Sequence, residues 1–122
     1  MASKSMARTV LIVDDHPSFR MSARMLLQSE GYEVIGEAEN GEEAVEAALR
    51  LRPDWVLLDV NLPDIDGFEV ASRITSEEGS PVVVLTSSRD GSDFGPLVER
   101  SGARGFVAKS ELSVVALEKV LG

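Results

Sequence analysis

Four short apolar runs of the chain each lead directly into polar residues. The runs cover residues 10–13 before Asp14 and Asp15, residues 55–58 before Asp59, residues 82–85 before Thr86 and residues 106–108 before Lys109. Runs of this length that are rich in β-branched residues predict strands buried on both faces, as in a parallel sheet covered by helices. Polar residues just past the carboxyl ends of such strands lie where open α/β sheets bind their ligands. The pattern therefore predicts a single site at one edge of a sheet.

The stretches between these runs carry apolar residues at helical spacing, together with the usual signals of helix ends. We predict strands over residues 9–13 and 32–38, a strand that ends at Asp59, a strand after Pro81, and a strand over residues 105–108. Five helices are predicted. The first begins at Pro17 and ends at Gly31, the second begins at Asn40 and ends near Pro53, and the third follows Asp66-Gly67 as far as Thr75. The fourth spans residues 96–101, and the fifth follows a Ser110 cap. Strict alternation of strand and helix predicts one α/β domain with parallel strands, right-handed crossovers and helices on both faces.

The stretch between Thr86 and Gly102 departs from this regular pattern. Residues 87–95 are rich in serine, glycine and aspartate, which break helices, and Pro96 fits best in the first turn of a helix. We therefore predict that the fourth helix is short and that residues 88–94 are mobile.

Composition and charge restrict the classes of partner. The chain has no cysteine and a formal net charge of −9, so nucleic acid and anionic membranes are poor electrostatic partners for it. Residues 1–8 have no apolar core of the kind a signal peptide needs, and we expect them to form a disordered leader. The absence of cysteine suits a protein of the cytoplasm, where we expect this one to act.

The predicted site has the chemistry of a metal-assisted phosphoryl acceptor. Asp14, Asp15 and Asp59 offer only carboxylate oxygens, which prefer Mg²⁺, Mn²⁺ or Ca²⁺ to zinc. Lys109 supplies a positive charge for a phosphoryl oxygen, and Thr86 supplies a hydroxyl donor. Since a carboxylate can attack phosphorus and hold a phosphoryl group as an acyl phosphate, these parts suffice for in-line transfer onto an aspartate.

Each of these residues also has an ordinary structural interpretation. Asp14 and Asp15 could cap the first helix, Thr86 could simply end a strand, Lys109 could be a solvated lysine, and Phe106 could be a core aromatic.

Three further residues are interpreted structurally. His16, the only histidine, is interpreted as a loop residue at the rim of the site rather than a catalytic base. Asp64 and Asp66 do not form an EF-hand loop, because Asp64 stands where such a loop started at Asp59 needs glycine. Asp66-Gly67 is instead interpreted as a turn and cap that open the third helix.

Six segments, taken in order and at their spacing, resemble the receiver domain of two-component response regulators over about residues 9–121. The segments are Val13-Asp-Asp-His-Pro17, Glu39-Asn-Gly-Glu-Glu-Ala44, Leu57-Leu-Asp-Val-Asn-Leu-Pro63, Asp66-Gly67, Val84-Leu-Thr86 and Phe106-Val-Ala-Lys109. The acidic pair followed by His-Pro is most similar to the subfamily that usually carries a C-terminal helix-turn-helix output domain. The resemblance implies that residues 9–122 form a flavodoxin-like (βα)5 three-layer sandwich with parallel strand order 2-1-3-4-5.

The resemblance also implies roles for individual residues. Asp59 would be the phosphoacceptor, and Mg²⁺ (or Mn²⁺) would be held by Asp14, Asp15, Asp59 and the main-chain carbonyl of Asn61. Thr86 and Lys109 would contact the phosphoryl group, Phe106 would be the aromatic switch, and Asn61 and Ser88 would tune the lifetime of the aspartyl phosphate.

The function implied is that of a signalling switch rather than a metabolic enzyme, with self-catalysed phosphorylation and dephosphorylation as its only activity. Its partners would be a sensor histidine kinase or a phosphotransfer protein, a downstream output domain or protein, and a second copy in a phosphorylation-dependent homodimer. Phosphorylation would shift the face formed by the fourth helix, fifth strand and fifth helix between two states.

Two departures from the family pattern and two rival functions accompany this interpretation. Ser110 replaces the proline that commonly follows the lysine, so a trans peptide bond is expected there. Phe106 lacks the hydroxyl that many members carry. One rival is a phosphorylation-independent interaction module with the same fold. The other is a haloacid-dehalogenase-type phosphohydrolase, which would need a second acid where Asn61 stands.

Overall fold

Five parallel strands in the order β2-β1-β3-β4-β5 form the central sheet of the computed structural model, as predicted. The structure describes residues 8–89 and 94–122. The strands are β1 (Thr9–Val13), β2 (Glu33–Ala38), β3 (Trp55–Asp59), β4 (Val82–Ser87) and β5 (Gly105–Ala108). The helices are α1 (Pro17–Ser29), α2 (Gly41–Leu51), α3 (Gly67–Thr75), α4 (Gly95–Arg100) and α5 (Val114–Leu121), with a short 3-10 helix at Lys109–Glu111.

Helices cover both faces of the sheet, and alternate residues of each strand point to opposite faces. On one face the strand residues pack against α2 and α3, and the buried members of this cluster include Leu11, Val13, Val56, Leu58, Val83, Leu85, Ala44 and Val70. On the other face they pack against α1 and α5, and the buried members include Val10, Ile12, Trp55, Leu57, Val84, Ala23, Leu27 and Leu117. The three inner strands therefore have both faces buried, which explains their continuous apolar runs.

The register of β3 against β4 brings two of the predicted site residues together. Asp59 pairs with Thr86, and both lie at the carboxyl ends of their strands. Residues paired in register on neighbouring strands point to the same face. Asp59 and Thr86 follow Leu57 and Val84 by one period of the strand, so both lie on the face covered by α1 and α5.

Two of the predicted helix caps are confirmed. The Asn40 side chain accepts a hydrogen bond from the main-chain N–H of Glu43 at the start of α2. The Asp66 carboxylate accepts one from the N–H of Glu69 at the start of α3.

The predicted Ser110 cap of the last helix is wrong. Ser110 lies inside the 3-10 helix, and Ser113 is the N-cap of α5, where its hydroxyl accepts a hydrogen bond from the N–H of Ala116. Leu112 has φ −65° and ψ 121°, so the chain leaves helical geometry between the two serines. The described residues contain no cis peptide bond, which confirms the trans bond expected between Lys109 and Ser110.

The fourth helix is short, as predicted, with only the six residues of α4. The predictions of mobility for residues 88–94 and of disorder for residues 1–8 fall largely on residues 90–93 and 1–7, which lie outside the described residues. Within the described ranges, every helix is too short or too polar to cross a membrane.

A glycine at the start of α3 is required by its close approach to the main chain of β3. A Cβ atom on Gly67 would collide with the main-chain carbonyl of Asp59 and with the Cα atom of Val60. The Gly67 N–H donates to the carbonyl of Val60 at 2.8 Å, so the helix begins directly against the residue that follows Asp59. The glycine therefore sets how closely α3 approaches the site.

We predict that Gly67→Ala lowers the free energy of unfolding by about 1–3 kcal/mol, the usual cost of forcing extra volume into a packed region. Gly95→Ala is the matched control, because a Cβ at Gly95 would have no atom of the described residues within 4 Å and the φ of Gly95 is not positive. Urea denaturation of both variants measures the difference. Equal stability of the two variants would show that the backbone contact at Gly67 is not restrictive.

Candidate functional site

Three carboxylates from two neighbouring strand ends converge at the carboxyl edge of the sheet. Asp14 and Asp15 follow β1, Asp59 ends β3, and one ligand atom from each, together with one from His16, lie within 4.8 Å of one another. Asp14 and Asp59 are buried, with exposed fractions of 0% and 2%, while Asp15 is half-buried. The structure thus confirms the predicted convergence of the acids.

Lys109 from the end of β5 reaches into this group of acids. Its Nζ atom lies 2.6 Å from Asp14 Oδ2, in an ion-pair contact whose angles fall outside those of a hydrogen bond, and 3.5 Å from Asp59 Oδ2. The same Nζ atom stands 4.4 Å from the centre of the Phe19 ring on α1, within the range of a cation–π contact. One ammonium therefore contacts two of the three carboxylates, and the three acids together outnumber this positive charge.

The interpretation of the acidic pair as a cap for α1 is wrong. The N-cap of α1 is His16, which makes no side-chain capping hydrogen bond. Asp14 Oδ1 instead accepts a hydrogen bond from the His16 main-chain N–H at 2.8 Å, which closes a tight turn. His16 Nδ1 lies 3.0 Å from Asp14 Oδ1 and 3.1 Å from Asp15 Oδ1, so the histidine stands at the rim of the site as predicted.

The electrostatic state of Asp59 follows from its burial. Removal from water raises the pKa of Asp59 from its ordinary 3.8 to about 6, and the nearby Asp14 carboxylate also raises it. The Asn61 main-chain N–H, which donates to Asp59 Oδ1 at 3.2 Å, and the Lys109 ammonium both lower the pKa but do not cancel the effect. The site thus disfavours the charged form of Asp59 unless a further positive charge arrives.

Thr86 supplies a buried hydroxyl beside Asp59. The side chain is fully buried, and its Oγ1 atom makes no hydrogen bond within the described part of the chain. A buried hydroxyl without a partner is costly, since it has lost its hydrogen bonds to water. Its pairing with Asp59 places this hydroxyl on the same face of the sheet as the Asp59 carboxylate.

The residues present fit a divalent cation that prefers oxygen ligands. The donor atoms are carboxylate oxygens, and Asp15 Oδ1 is buried without a hydrogen bond in the described structure. The charge of three carboxylates against one ammonium favours a doubly charged ion of the Mg²⁺ type. Asn61, whose main-chain carbonyl was predicted as a further ligand, lies exposed at the rim two residues after Asp59.

Phe106, the predicted switch residue, belongs to a row of three aromatic rings. Its ring centre lies 5.7 Å from that of Phe94 at the start of α4, and Phe94 lies 5.5 Å from Phe68 on α3. Phe106 is half-buried against the cluster on the α2–α3 face. Ser88, predicted to tune the phosphoryl lifetime, is exposed just past β4.

Three residues around the site were not predicted from sequence. The helical spacing of α1 placed Phe19 in the core but did not reveal its contact with Lys109. Arg20 Nη1 donates to the main-chain carbonyl of Asp14 at 2.6 Å, while its Nε atom is paired with Glu37 at 2.8 Å. Asp64 accepts hydrogen bonds from the start of α2. Each contact forms only when separate elements come together in the fold, and no local signal in the sequence announces it.

Comparison with known families identifies the chain. Residues 10–120 match the model of the response regulator receiver domain, and the chain belongs to this family. It is a receiver domain of the two-component response regulators, a class that acts in transcriptional regulators as a signalling switch. Receiver domains bind Mg²⁺ at an acidic pocket, and this chain has an acidic cluster of Asp14, Asp15 and Asp59.

Individual relatives agree with this assignment. The transcriptional regulatory protein PdtaR of Mycobacterium tuberculosis is 44% identical over 109 residues, which are 88% of this chain and 50% of PdtaR. A LuxR-family response regulator from Aurantimonas sp. SI85-9A1 has a TM-score of 0.84 and 32% identity, covering 94% of this chain and 85% of its own. A chain of the CheX–CheY–BeF3–Mg²⁺ complex from Borrelia burgdorferi has a TM-score of 0.85 and 26% identity, and the match covers 99% of this chain and 91% of that one. The chain spans about half the length of the curated relatives that it matches first.

We predict that metal-free protein loses stability as the pH rises from about 4 to about 6 because of Asp59. The native state holds the Asp59 proton up to a pKa of about 6, whereas the unfolded chain releases it near 3.8. The unfolded state therefore binds fewer protons in this window, and the free energy of unfolding falls with pH, by about 3 kcal/mol for a shift of roughly two units.

Denaturation in EDTA as a function of pH measures this loss, which Asp59→Asn should remove. Glu118→Gln, the same acid-to-amide change at an exposed position of α5, is the control and should keep the wild-type profile. Parallel profiles for wild type and Asp59→Asn would contradict the raised pKa.

Proposed function

We propose that Asp59 is the phosphoacceptor of this receiver domain. The observation that carries the proposal is the environment of Asp59, which is buried and adjacent to Asp14 and Lys109. It is also in register with Thr86, whose hydroxyl has no hydrogen-bond partner among the described residues. In the proposed step a carboxylate oxygen of Asp59 attacks phosphorus. The bond from phosphorus to the donor breaks, either to the histidine nitrogen of a kinase or to the acyl oxygen of acetyl phosphate, and the departing group keeps the electron pair. The product is an aspartyl phosphate.

The chain's own residues then divide the charge that the phosphoryl group brings, about −1.5 to −2. The Lys109 ammonium can move from Asp14 and Asp59 to an oxygen of the phosphoryl group. Thr86 Oγ1, which has no partner in the described structure, can donate a hydrogen bond to a second phosphoryl oxygen. Asp14, Asp15, Asp59 and the Asn61 carbonyl would hold Mg²⁺ or Mn²⁺. When bound, the ion neutralises the carboxylates and the negative charge of the transferring group.

Release of the phosphoryl group closes the cycle. Water attacks phosphorus, the bond to the Asp59 oxygen breaks, and the carboxylate and inorganic phosphate are regenerated. Asn61 and Ser88 are both exposed at the rim of the site, where the attacking water must enter, and we assign them the tuning of the phosphoryl lifetime. Both reactions are self-catalysed, and the chain has no metabolic substrate.

The conformational response is proposed to start at Thr86 and Phe106. Phe106 pairs in register with Leu85, the residue before Thr86, so movement of Thr86 toward the phosphoryl group shifts the end of β4 beside Phe106 and lets its ring turn. Because Phe106 packs on Phe94, such a turn removes one of the two ring contacts that hold the start of α4. The face of α4, β5 and α5 then shifts its population between two states.

The partners follow from this cycle. A sensor histidine kinase or a phosphotransfer protein of the cytoplasm would donate the phosphoryl group, and an output domain or protein would sense the altered face, with homodimer formation through that face as one form of output. The net charge of −9 disfavours direct binding of nucleic acid or an anionic membrane by this chain.

A second candidate function is a phosphorylation-independent interaction module. It is favoured by the aromatic row, in which Phe106 lacks a hydroxyl and packs against Phe94. Membership of the receiver family removes the haloacid-dehalogenase-type alternative.

Intact mass spectrometry after incubation with acetyl phosphate and Mg²⁺ tests the proposal. We expect wild type to gain the mass of one phosphoryl group, and we expect no gain in EDTA or in Asp59→Asn. Asp66→Asn, an acid-to-amide change that retains the cap of α3, is the matched control and should be phosphorylated normally.

Failure of folded wild type to gain mass while it binds Mg²⁺ would contradict the phosphoacceptor proposal and support the interaction module. Phosphorylation of Asp59→Asn would place the acceptor elsewhere.

A further inference from the structure

Asp64 joins the loop that follows β3 to the first turn of α2. Its Oδ1 atom accepts hydrogen bonds from the main-chain N–H groups of Gly41 at 2.7 Å and Ile65 at 2.8 Å, and its Oδ2 atom accepts one from Glu42 at 3.0 Å. Gly41 and Asp64 are 23 residues apart, so this is a tertiary contact and not a local cap. One carboxylate thus satisfies two of the free N–H groups at the start of α2.

The same loop carries the Asn61 carbonyl that is proposed to bind the metal. Among the described residues, the other hydrogen bonds of residues 60–66 link the loop only to the ends of β3 and β4 or to the start of α3. Within the described part of the chain, Asp64 therefore provides the one hydrogen-bonded connection between this loop and α2.

The junction is tightly packed around a glycine. A Cβ on Gly41 would lie 2.9 Å from a Val70 methyl group, 3.1 Å from the Ile65 Cβ and 3.2 Å from Asp64 Oδ1. Gly41 is buried although it begins a helix. The absence of a side chain at Gly41 allows the loop to approach α2 closely enough for the Asp64 bonds to form.

The electrostatics of the contact keep Asp64 ionised. Hydrogen bonds from the Gly41 and Glu42 N–H groups lower the pKa of the Asp64 carboxyl, and the positive end of the α2 dipole acts in the same direction. The first turn of α2 also carries the acids Glu42 and Glu43, whose negative charges repel another carboxylate. The directed hydrogen bonds from the main chain therefore hold Asp64 there against this repulsion.

We propose that Asp64 is a positioning residue for the metal site, which fixes the Asn61 carbonyl by clamping the loop of residues 60–66 to the start of α2. The proposal rests on the proposed function, since it assigns Asn61 to the metal. Partners of metal ligands commonly contribute to metal affinity without touching the ion. By thermodynamic linkage, if the hydrogen bonds of Asp64 raise the affinity of the site for the metal, metal binding stabilises those hydrogen bonds by the same factor.

The test is the Mg²⁺ dissociation constant of wild type, Asp64→Ala and Asp64→Asn, measured by calorimetry. We expect Asp64→Ala to raise Kd about tenfold, the lower end of the effect of such partners, because the clamp acts through the main chain. Asp64→Asn keeps one acceptor oxygen and should give an intermediate Kd. Ser113→Ala, which removes the side-chain cap of α5, is the matched control and should leave Kd unchanged.

Two further readouts separate positioning from a merely structural role. In Asp64→Ala the Mg²⁺ concentration that gives half-maximal phosphorylation by acetyl phosphate should rise, while the rate at saturating Mg²⁺ stays at the wild-type value. In wild type, Mg²⁺ should slow hydrogen exchange at the Gly41 and Glu42 amides, and in Asp64→Ala it should not.

The outcomes distinguish this inference from the proposed function. If wild type binds Mg²⁺ and is phosphorylated, but Asp64→Ala is folded with the wild-type Kd, the clamp is overturned and the phosphoacceptor stands. A wild-type protein that binds no Mg²⁺ would overturn the metal site and the clamp together.

Discussion

The contact of Lys109 with Asp14 and Asp59 is the interaction on which the site depends. Burying two carboxylates at a sheet edge costs free energy, and removing either partner of a buried ion pair costs more than the pair contributes. One ammonium at 2.6 Å and 3.5 Å offsets part of that cost but leaves three acids against a single cation. Burial, together with the neighbouring Asp14 carboxylate, still raises the pKa of Asp59 in spite of Lys109. The protein's own side chains thus leave the site short of the positive charge that a divalent cation would bring.

The scaffold holds this arrangement through contacts at the strand ends. Register places Thr86 beside Asp59, Arg20 holds the main-chain carbonyl of Asp14, and Phe19 provides an aromatic surface for the Lys109 ammonium. Gly67 lets α3 begin against the main chain that follows Asp59. These contacts come from three different elements, β4, α1 and α3, so a change at the site reaches one further strand and two helices at once. That distribution suits a switch whose readout lies on a distant face.

Much of the fold and most of the site could be predicted, because both depend on local and periodic signals. Apolar runs ending in Asp14, Asp59, Thr86 and Lys109 determine a parallel sheet, and parallel sheets bring their carboxyl ends to one edge. What failed depended on geometry that the local sequence does not encode. Ser110 and Ser113 are equally good caps by composition, and only the extended Leu112 between them makes Ser113 the cap. The contacts of Arg20 and Asp64 join distant segments and become visible only once the helices are in place.

The Mg²⁺ dissociation constant of Lys109→Met tests the central claim most directly, because methionine keeps much of the side chain's shape and removes its charge. If the Lys109 ammonium competes with a divalent cation for Asp14 and Asp59, its removal should make Mg²⁺ bind more tightly than it does to wild type. We expect the dissociation constant to fall about tenfold, which corresponds to a change of roughly 1.4 kcal/mol in binding free energy. Calorimetry on both folded proteins in the same buffer gives the answer. Unchanged or weaker Mg²⁺ binding by Lys109→Met would contradict the account, because the lysine would then not compete with the metal for these carboxylates.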